Sequence, residues 1–204
     1  MAVSHRNRAA LLLFCALPAA AGAQILSNAN AQLPITVEAQ SNDLDFRNNM
    51  VVFHKVKITQ GKVSVEAEQA QANGVDSDNS RWQFHGKVKI TVELGFLTSD
   101  DAEITFADKL LTKAVITGKP AEFEQRRQKT GQLARGRADS IIYDVKSGTV
   151  NLTKNAWLSD GQNEIRGDLL KYSISEQRVV ANAAEQGSQR VRIIITPPPA
   201  KPKP

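Results

Sequence analysis

Five times along the chain a short alternation of apolar and polar residues crosses a small residue, turns, alternates again and closes at a glycine. The small residues are Ala39, Ala67, Ala102, Ala138 and Gly167, spaced by 28, 35, 36 and 29 positions. The closing glycines keep step at Gly61, Gly95, Gly131 and Gly161. A repeat of this length made of period-two strands dictates a stacked or rolled sheet with one continuous apolar interior. Such an interior is either a packed spine or a trough for an apolar ligand.

The clearest strand runs from Trp82 to Leu94. Trp82, Phe84, Gly86, Val88, Ile90, Val92 and Leu94 take one face, and Gln83, His85, Lys87, Lys89, Thr91 and Glu93 the other. Unbroken alternation of this length predicts a sheet with one wet face. Gly86, in mid-strand, predicts a bend or bulge that lets the sheet curl. Shorter pieces follow the same rule at Val56 and Ile58, at Val63, Val65 and Ala67, at Ala102, Ile104 and Phe106, at Val150 and Leu152, and at Ile165, Gly167 and Leu169. Turn chemistry falls between them at 47–49, 76–80, 146–148 and 159–163. Gln69 to Asn73 and Ser175 to Ala184 are the two candidates for a turn of helix. The fold class is therefore all-β, an antiparallel sheet built from about five strand-turn-strand repeats. A packed sandwich and an apolar slot both satisfy this pattern, and periodicity does not choose between them.

Residues 1–23 read as a secretory signal, with Arg6 and Arg8 before the apolar run Ala9 to Leu17, then Pro18 and the small-x-small site Ala21-Gly22-Ala23. The run is shorter than the ~20 residues that span a bilayer. Cys15, the single cysteine, lies inside this segment, preceded by Phe14 where lipidation needs a small residue. The exported chain is expected to begin at Gln24, with no thiol and no disulfide. Residues 24–33 form an N-terminal segment, 34–195 one repeat domain, and 196–204 a Pro-rich tail that cannot pair as a strand.

Removal of residues 1–23 takes Arg6 and Arg8 from the 26 basic residues and leaves 24 against 21 acidic, a net +3. Lys55, Lys57, Lys87, Lys89, Arg126, Arg127, Lys129, Arg135 and Arg137 carry this mild excess on strand faces. A solvated face and attraction to an anionic partner such as a phosphorylated lipid are both compatible with it. Nucleic acid is not expected as a partner, because the basic faces lack interleaved aromatics. No enzymatic activity is expected either. His54 and His85 are in no metal-ligand spacing, Asp100 and Asp101 point to opposite faces of a strand, and no nucleophile elbow or phosphate loop is present. Neither a cofactor nor a metal is called for.

Several blocks carry a resemblance. They are Pro34-Ile35-Thr36-Val37-Glu38, Leu44-Asp45-Phe46, Val51-Val52-Phe53 and 56–61 running on to Val65-Glu66-Ala67. They resume at Gly118-Lys119-Pro120-Ala121-Glu122-Phe123, Gly136-Arg137-Ala138-Asp139 with Tyr143, 148–152, and Ile165-Arg166-Gly167-Asp168 with Tyr172. Together they resemble the OstA-like family of periplasmic lipopolysaccharide-transport bridge proteins over most of 34–195. Roughly Arg81 to Leu111 departs from the family as an additional strand-turn-strand repeat. The resemblance implies a long, twisted, open β-jellyroll, or β-taco, without catalytic activity. It implies that lipid A acyl chains of lipopolysaccharide lie in the trough, lined by Ile35 and Val37 at the N-terminal mouth, Phe123 in the middle, and Tyr143 with Val145 beyond. It also implies an inner-membrane LptC-like subunit at the N-terminal edge, an outer-membrane LptD-like subunit at the C-terminal edge, and head-to-tail homo-oligomers. The alternative is a structural β-roll scaffold for envelope assembly with a filled core and no lipid ligand.

Overall fold

The protein is described here by a computed structural model covering residues 33–74, 78–108, 110–126, 131–173, 176, 178–183 and 190–197. Residues 1–23, read above as a secretory signal, most of the 24–33 segment and the end of the tail lie outside these residues. All regular structure among them is β. The strands are β1 (Ile35–Glu38), β2 (Ser41–Asp45), β3 (Met50–Gln60), β4 (Val63–Asn73), β5 (Ser80–Val92), β6 (Gly95–Ala107), β7 (Leu110–Arg126), β8 (Leu133–Asp144), β9 (Thr149–Ser159), β10 (Glu164–Ser173), β11 (Arg178–Asn182) and β12 (Arg192–Ile194). They form one antiparallel sheet in the order β1-β3-β4-β5-β6-β7-β8-β9-β10-β11, with β2 also on β3 and β12 also on β10.

Each long strand is broken near its middle. Left-handed residues sit there on three strands: Lys55 on β3 (φ 48), Gly86 and Lys87 on β5 (φ 75 and 50), and Lys154 and Asn155 on β9 (φ 61 and 55). Register shifts fall at the same level between Glu66 and Gln69, His85 and Val88, Thr98 and Asp101, Thr117 and Ala121, Arg137 and Ser140, and Gly167 and Leu169. Bulges bend the strand that carries them, so a row of bulges folds the sheet along one line. The result is two wings. Ala70, Ala72, Ala121, Ala138 and Leu170 are fully buried, which one face of a lone sheet cannot achieve. The second wing covers the first.

The repeat read from the sequence is this bend. Ala67, Ala102 and Ala138 are buried beside it, where the wings converge and only a small side chain fits. Gly61, Gly95, Gly131 and Gly161 all lie at the turns that rim the first wing, three of them at positive φ. At the opposite rim the turns are closed by carboxylates. Asp45 Oδ2 accepts from the Asn48 side-chain amide at 2.6 Å and its Oδ1 from the Asn48 and Arg47 backbone amides, and Asp144 Oδ1 accepts from the Ser147 backbone amide at 2.8 Å. These hydrogen bonds hold both carboxyls below their ordinary pKa.

The outer side of the bend carries Lys55, Glu68, Lys87, Asp100, Lys119, Asp139, Lys154 and Asp168, one per strand from β3 to β10 and alternating in sign. Lys87 Nζ lies 2.7 Å from Glu68 and Asn155 donates to Asp139 at 3.2 Å. Opposite charges on neighbouring strands suit a corner where the backbone ladder is interrupted. Gly86 is required here. A Cβ on it would lie 2.5 Å from Glu68 Oε2, and its φ of +75° disfavours any side chain. Gly86→Ala is therefore expected to lower stability by about 1–2 kcal/mol, read as a depressed melting temperature with the β-sheet spectrum retained.

Two expectations are corrected. Gln69 to Asn73 is not a helical turn but part of β4, because Ala70 and Ala72 face inward while pairing with β3 and β5 holds the backbone extended. Within Ser175 to Ala184, residues Arg178–Asn182 form β11 on β10, and Ser175 and Ala184 lie outside the described residues. The segment Arg81 to Leu111 forms the hairpin β5–β6 and the first residues of β7, and the hairpin pairs with β4 on one side and β7 on the other.

Candidate functional site

The registers trace the interior residue by residue. On the first wing one inner row reads Val37, Ile58, Val65, Ile90, Leu97, Phe123, Gly136, Leu158, Ile165 and Ile193, from β1 across to β12. It has no polar member. On the second wing the facing row runs from Leu44 on β2 through Trp82, Ile104 and Tyr143 to Val179 on β11. A third row nearer the bend includes Phe84, Ile116, Ile141, Leu152 and Leu170, all buried. The interior is thus closed at the bend and opens toward the rims, where Ile58, Val65, Trp82, Leu97, Ile104 and Phe123 are only half-buried.

Val37 and Phe123, expected at the mouth and the middle of the trough, share the first-wing row. The Phe123 ring covers Gly136, since a Cβ there would sit 2.2 Å from its Cε1 and 2.7 Å from Leu158 Cδ2. Tyr143 faces them from the second-wing row, and burial pushes its phenol above the ordinary tyrosine pKa. Ile35 is further out, on the rim opposite Gln60, and is 61% exposed. Val145 lies past the end of β8, its amide donating to Thr112 O at 3.0 Å, and belongs to neither row.

Sequence reading missed an aromatic platform. The Phe53 and Trp82 rings stack at 6.4 Å and 2°, and the Trp82 and Phe84 rings at 6.2 Å and 16°. Phe53 and Phe84 pair across Ala70, and Val51 and Trp82 across Ala72. The alanines of β4 leave the space into which the larger side chains lean. That arrangement was detectable as small residues two apart between two aromatic strands.

Several of the basic residues on the outer faces have acidic or aromatic neighbours on adjacent strands. Lys57 pairs with Glu66 at 3.4 Å, Lys87 with Glu68 and Arg135 with Glu124 at 2.9 Å; Lys89 stands opposite Glu66, and Arg137 lies 5.5 Å over the Trp157 ring. These cations have neighbours on adjacent strands, as a solvated face requires. Arg127 and Lys129 lie outside the described residues. Among the described residues no group of three His, Cys, Asp or Glu is placed to hold a metal. His85 Nδ1 meets Asp101 Oδ1 at 2.7 Å on the exposed face. An apolar interior with this lining can sequester hydrocarbon.

A family model described as "LptA/(LptD N-terminal domain) LPS transport protein" matches residues 69–178, more than half of the chain. The chain belongs to this family. The match to the LptA/LptD N-terminal family runs from β4 to β11 and includes the β5–β6 hairpin. Among curated relatives, the lipopolysaccharide export system protein LptA of Escherichia coli K12 is 24% identical over 188 residues, covering 92% of this chain and 84% of that protein. The protein of the same name from Haemophilus influenzae is 25% identical over 165 residues, covering 80% and 77%. The crystal structure of LptH, described as the LptA-homologous periplasmic component of the lipopolysaccharide transport device of Pseudomonas aeruginosa, matches with a TM-score of 0.50 and 22% identity. It covers 82% of this chain and 99% of that one, and at that identity it supports the fold, the open antiparallel β-jellyroll of the LptA/LptD N-terminal family.

Proposed function

We propose that this protein carries lipopolysaccharide across the periplasm as part of a bridge between the inner and outer membranes. Its acyl chains lie between the two wings and its sugars remain outside. The observation that carries this reading is the first-wing row, apolar from edge strand to edge strand, in a chain belonging to a lipopolysaccharide-transport family. Each methylene buried there contributes ~0.8 kcal/mol. Acyl chains so held leave slowly into water, and pass onward only where the next protein offers an equivalent row. The two ends are suited to that. Both present exposed apolar side chains, Ile35, Leu44 and Phe46 at one and Ile193, Ile194 and Ile195 at the other. Sheet edges of this kind take further strands. In this reading an LptC-like subunit meets the N-terminal edge, an LptD-like subunit meets the C-terminal edge, and copies stack head to tail.

The lining residues we assign are Val37, Phe123 and Tyr143 along the rows, with Ile35 and Val145 at the rims. The test is mass spectrometry of lipid extracted from the purified protein, with added lipopolysaccharide as competitor. Stoichiometric lipid A-type glycolipid, displaced by the competitor, is expected. A lipid-free protein that also takes up no added lipopolysaccharide would favour a scaffold with a filled core.

A further inference from the structure

The two edges are related by a parity that the strand count imposes. β1 and β2 together make one bent strand running from the first-wing rim to the second, since Ile35 pairs with Gln60 and Asp45 with Met50. β11 and β12 pair with the two halves of β10 and run the opposite way, from Arg178 opposite Ser173 to Ile194 opposite Glu164. Between them lie the eight strands β3 to β10. With an even total, the outgoing edge of one copy is antiparallel to the incoming edge of a second copy in the same orientation. Along any row, hydrogen-bonded and non-hydrogen-bonded pairs alternate from strand to strand. An even count therefore leaves matching backbone groups free at both ends of the row.

The outer rows end in opposite charges. One runs Glu38, Lys57, Glu66, Lys89, Thr98, Glu122, Arg137, Trp157, Arg166 and Arg192, in unbroken register. The row beside the second-wing rim begins at Asp45 on β2 and ends at Arg178 on β11. Acids stand at the N-terminal edge and arginines at the C-terminal edge. We infer that a second copy of this chain docks its β1–β2 edge on β11–β12 without slip, Glu38 facing Arg192 and Asp45 facing Arg178. This rests on the head-to-tail stacking proposed above and specifies its register. In that register Val37 follows Ile193 and Leu44 follows Val179, so both inner rows continue from one copy into the next. A slip of one residue would turn those side chains to the outer face and set Arg192 beside an uncharged neighbour. Glu38 carries more of the selectivity than Asp45, whose carboxylate already accepts from Arg47 and Asn48.

The test is sedimentation velocity over a concentration series on the wild type, Glu38→Arg, Arg192→Glu, the double variant, and an equimolar mixture of the two single variants. Both residues are exposed edge positions, and an unchanged melting curve confirms that each variant folds. Each single reversal places like charges at the joint and is expected to weaken association about tenfold, less at high salt. The mixture and the double variant restore opposite charges at every joint and are expected to recover wild-type association. Single variants that assemble like the wild type, or a mixture without recovery, would overturn the register while leaving stacking intact. A wild type that remains monomeric at every concentration would overturn stacking itself.

Discussion

Phe123→Asp is expected to abolish most lipopolysaccharide uptake while leaving the sheet folded. The ring lies in the middle of the first-wing row, half-buried and spread over Gly136 against Leu158. Aspartate removes that apolar surface and sets a carboxylate where a hydrocarbon chain must pass. Leaving an ionised group against hydrocarbon costs several kcal/mol, so binding should fall by about two orders of magnitude or more. Because Phe123 stands toward the open side rather than at the bend, the loss of folding stability should be smaller than the loss of binding. Titration of labelled lipopolysaccharide against wild type, Phe123→Asp and Phe123→Leu checks this. Leucine is expected to retain most of the affinity, and near-normal uptake by the aspartate variant would remove the trough from the mechanism.

Leu170→Ala is expected to have the opposite profile, a large stability loss first and a binding loss only as a consequence. Leu170 on β10 is fully buried, pairs with Leu152 and Ala181, and lies in the row beside the bend where the wings meet. Cavity-forming substitutions of this kind cost about 2–5 kcal/mol. Ala181, already small, cannot fill the gap. Denaturant unfolding should show a lower midpoint with an unchanged slope. A loss well below 1 kcal/mol would mean that the wings are not closed against each other at the bend.

Much of the fold was legible because its signal is local. The alternation from Trp82 onward reads as a strand without knowledge of its neighbours, and Gly86 announces its bend because glycine is the ordinary occupant of left-handed backbone. The matching bends at Lys55 and Lys154 were not legible, since nothing about lysine signals a positive φ. The end of β4 was misread because Gln69, Ala70, Gln71 and Ala72 suit a helix by propensity, and only pairing on both sides decides for a strand. The inward-facing positions Val37, Phe123 and Tyr143 were legible from alternation, but their arrangement was not, and Ile35 and Val145 fall outside the two rows. That Val37 and Phe123 share a row depends on every register between β1 and β7, including shifts at the bend that no single strand reveals. The aromatic platform escaped for the same reason, because Phe53 and Trp82 meet across a strand that carries neither.

The even strand count has a consequence for reach. Neighbouring strands are ~4.8 Å apart, so ten strand positions from edge to edge give the roll a length of roughly 48 Å along its axis. In the proposed head-to-tail stack, a row of copies spans whole multiples of that length. Adjusting it by a single strand would leave an edge running the wrong way. The smallest change that keeps both edges in phase is one hairpin, about 9–10 Å.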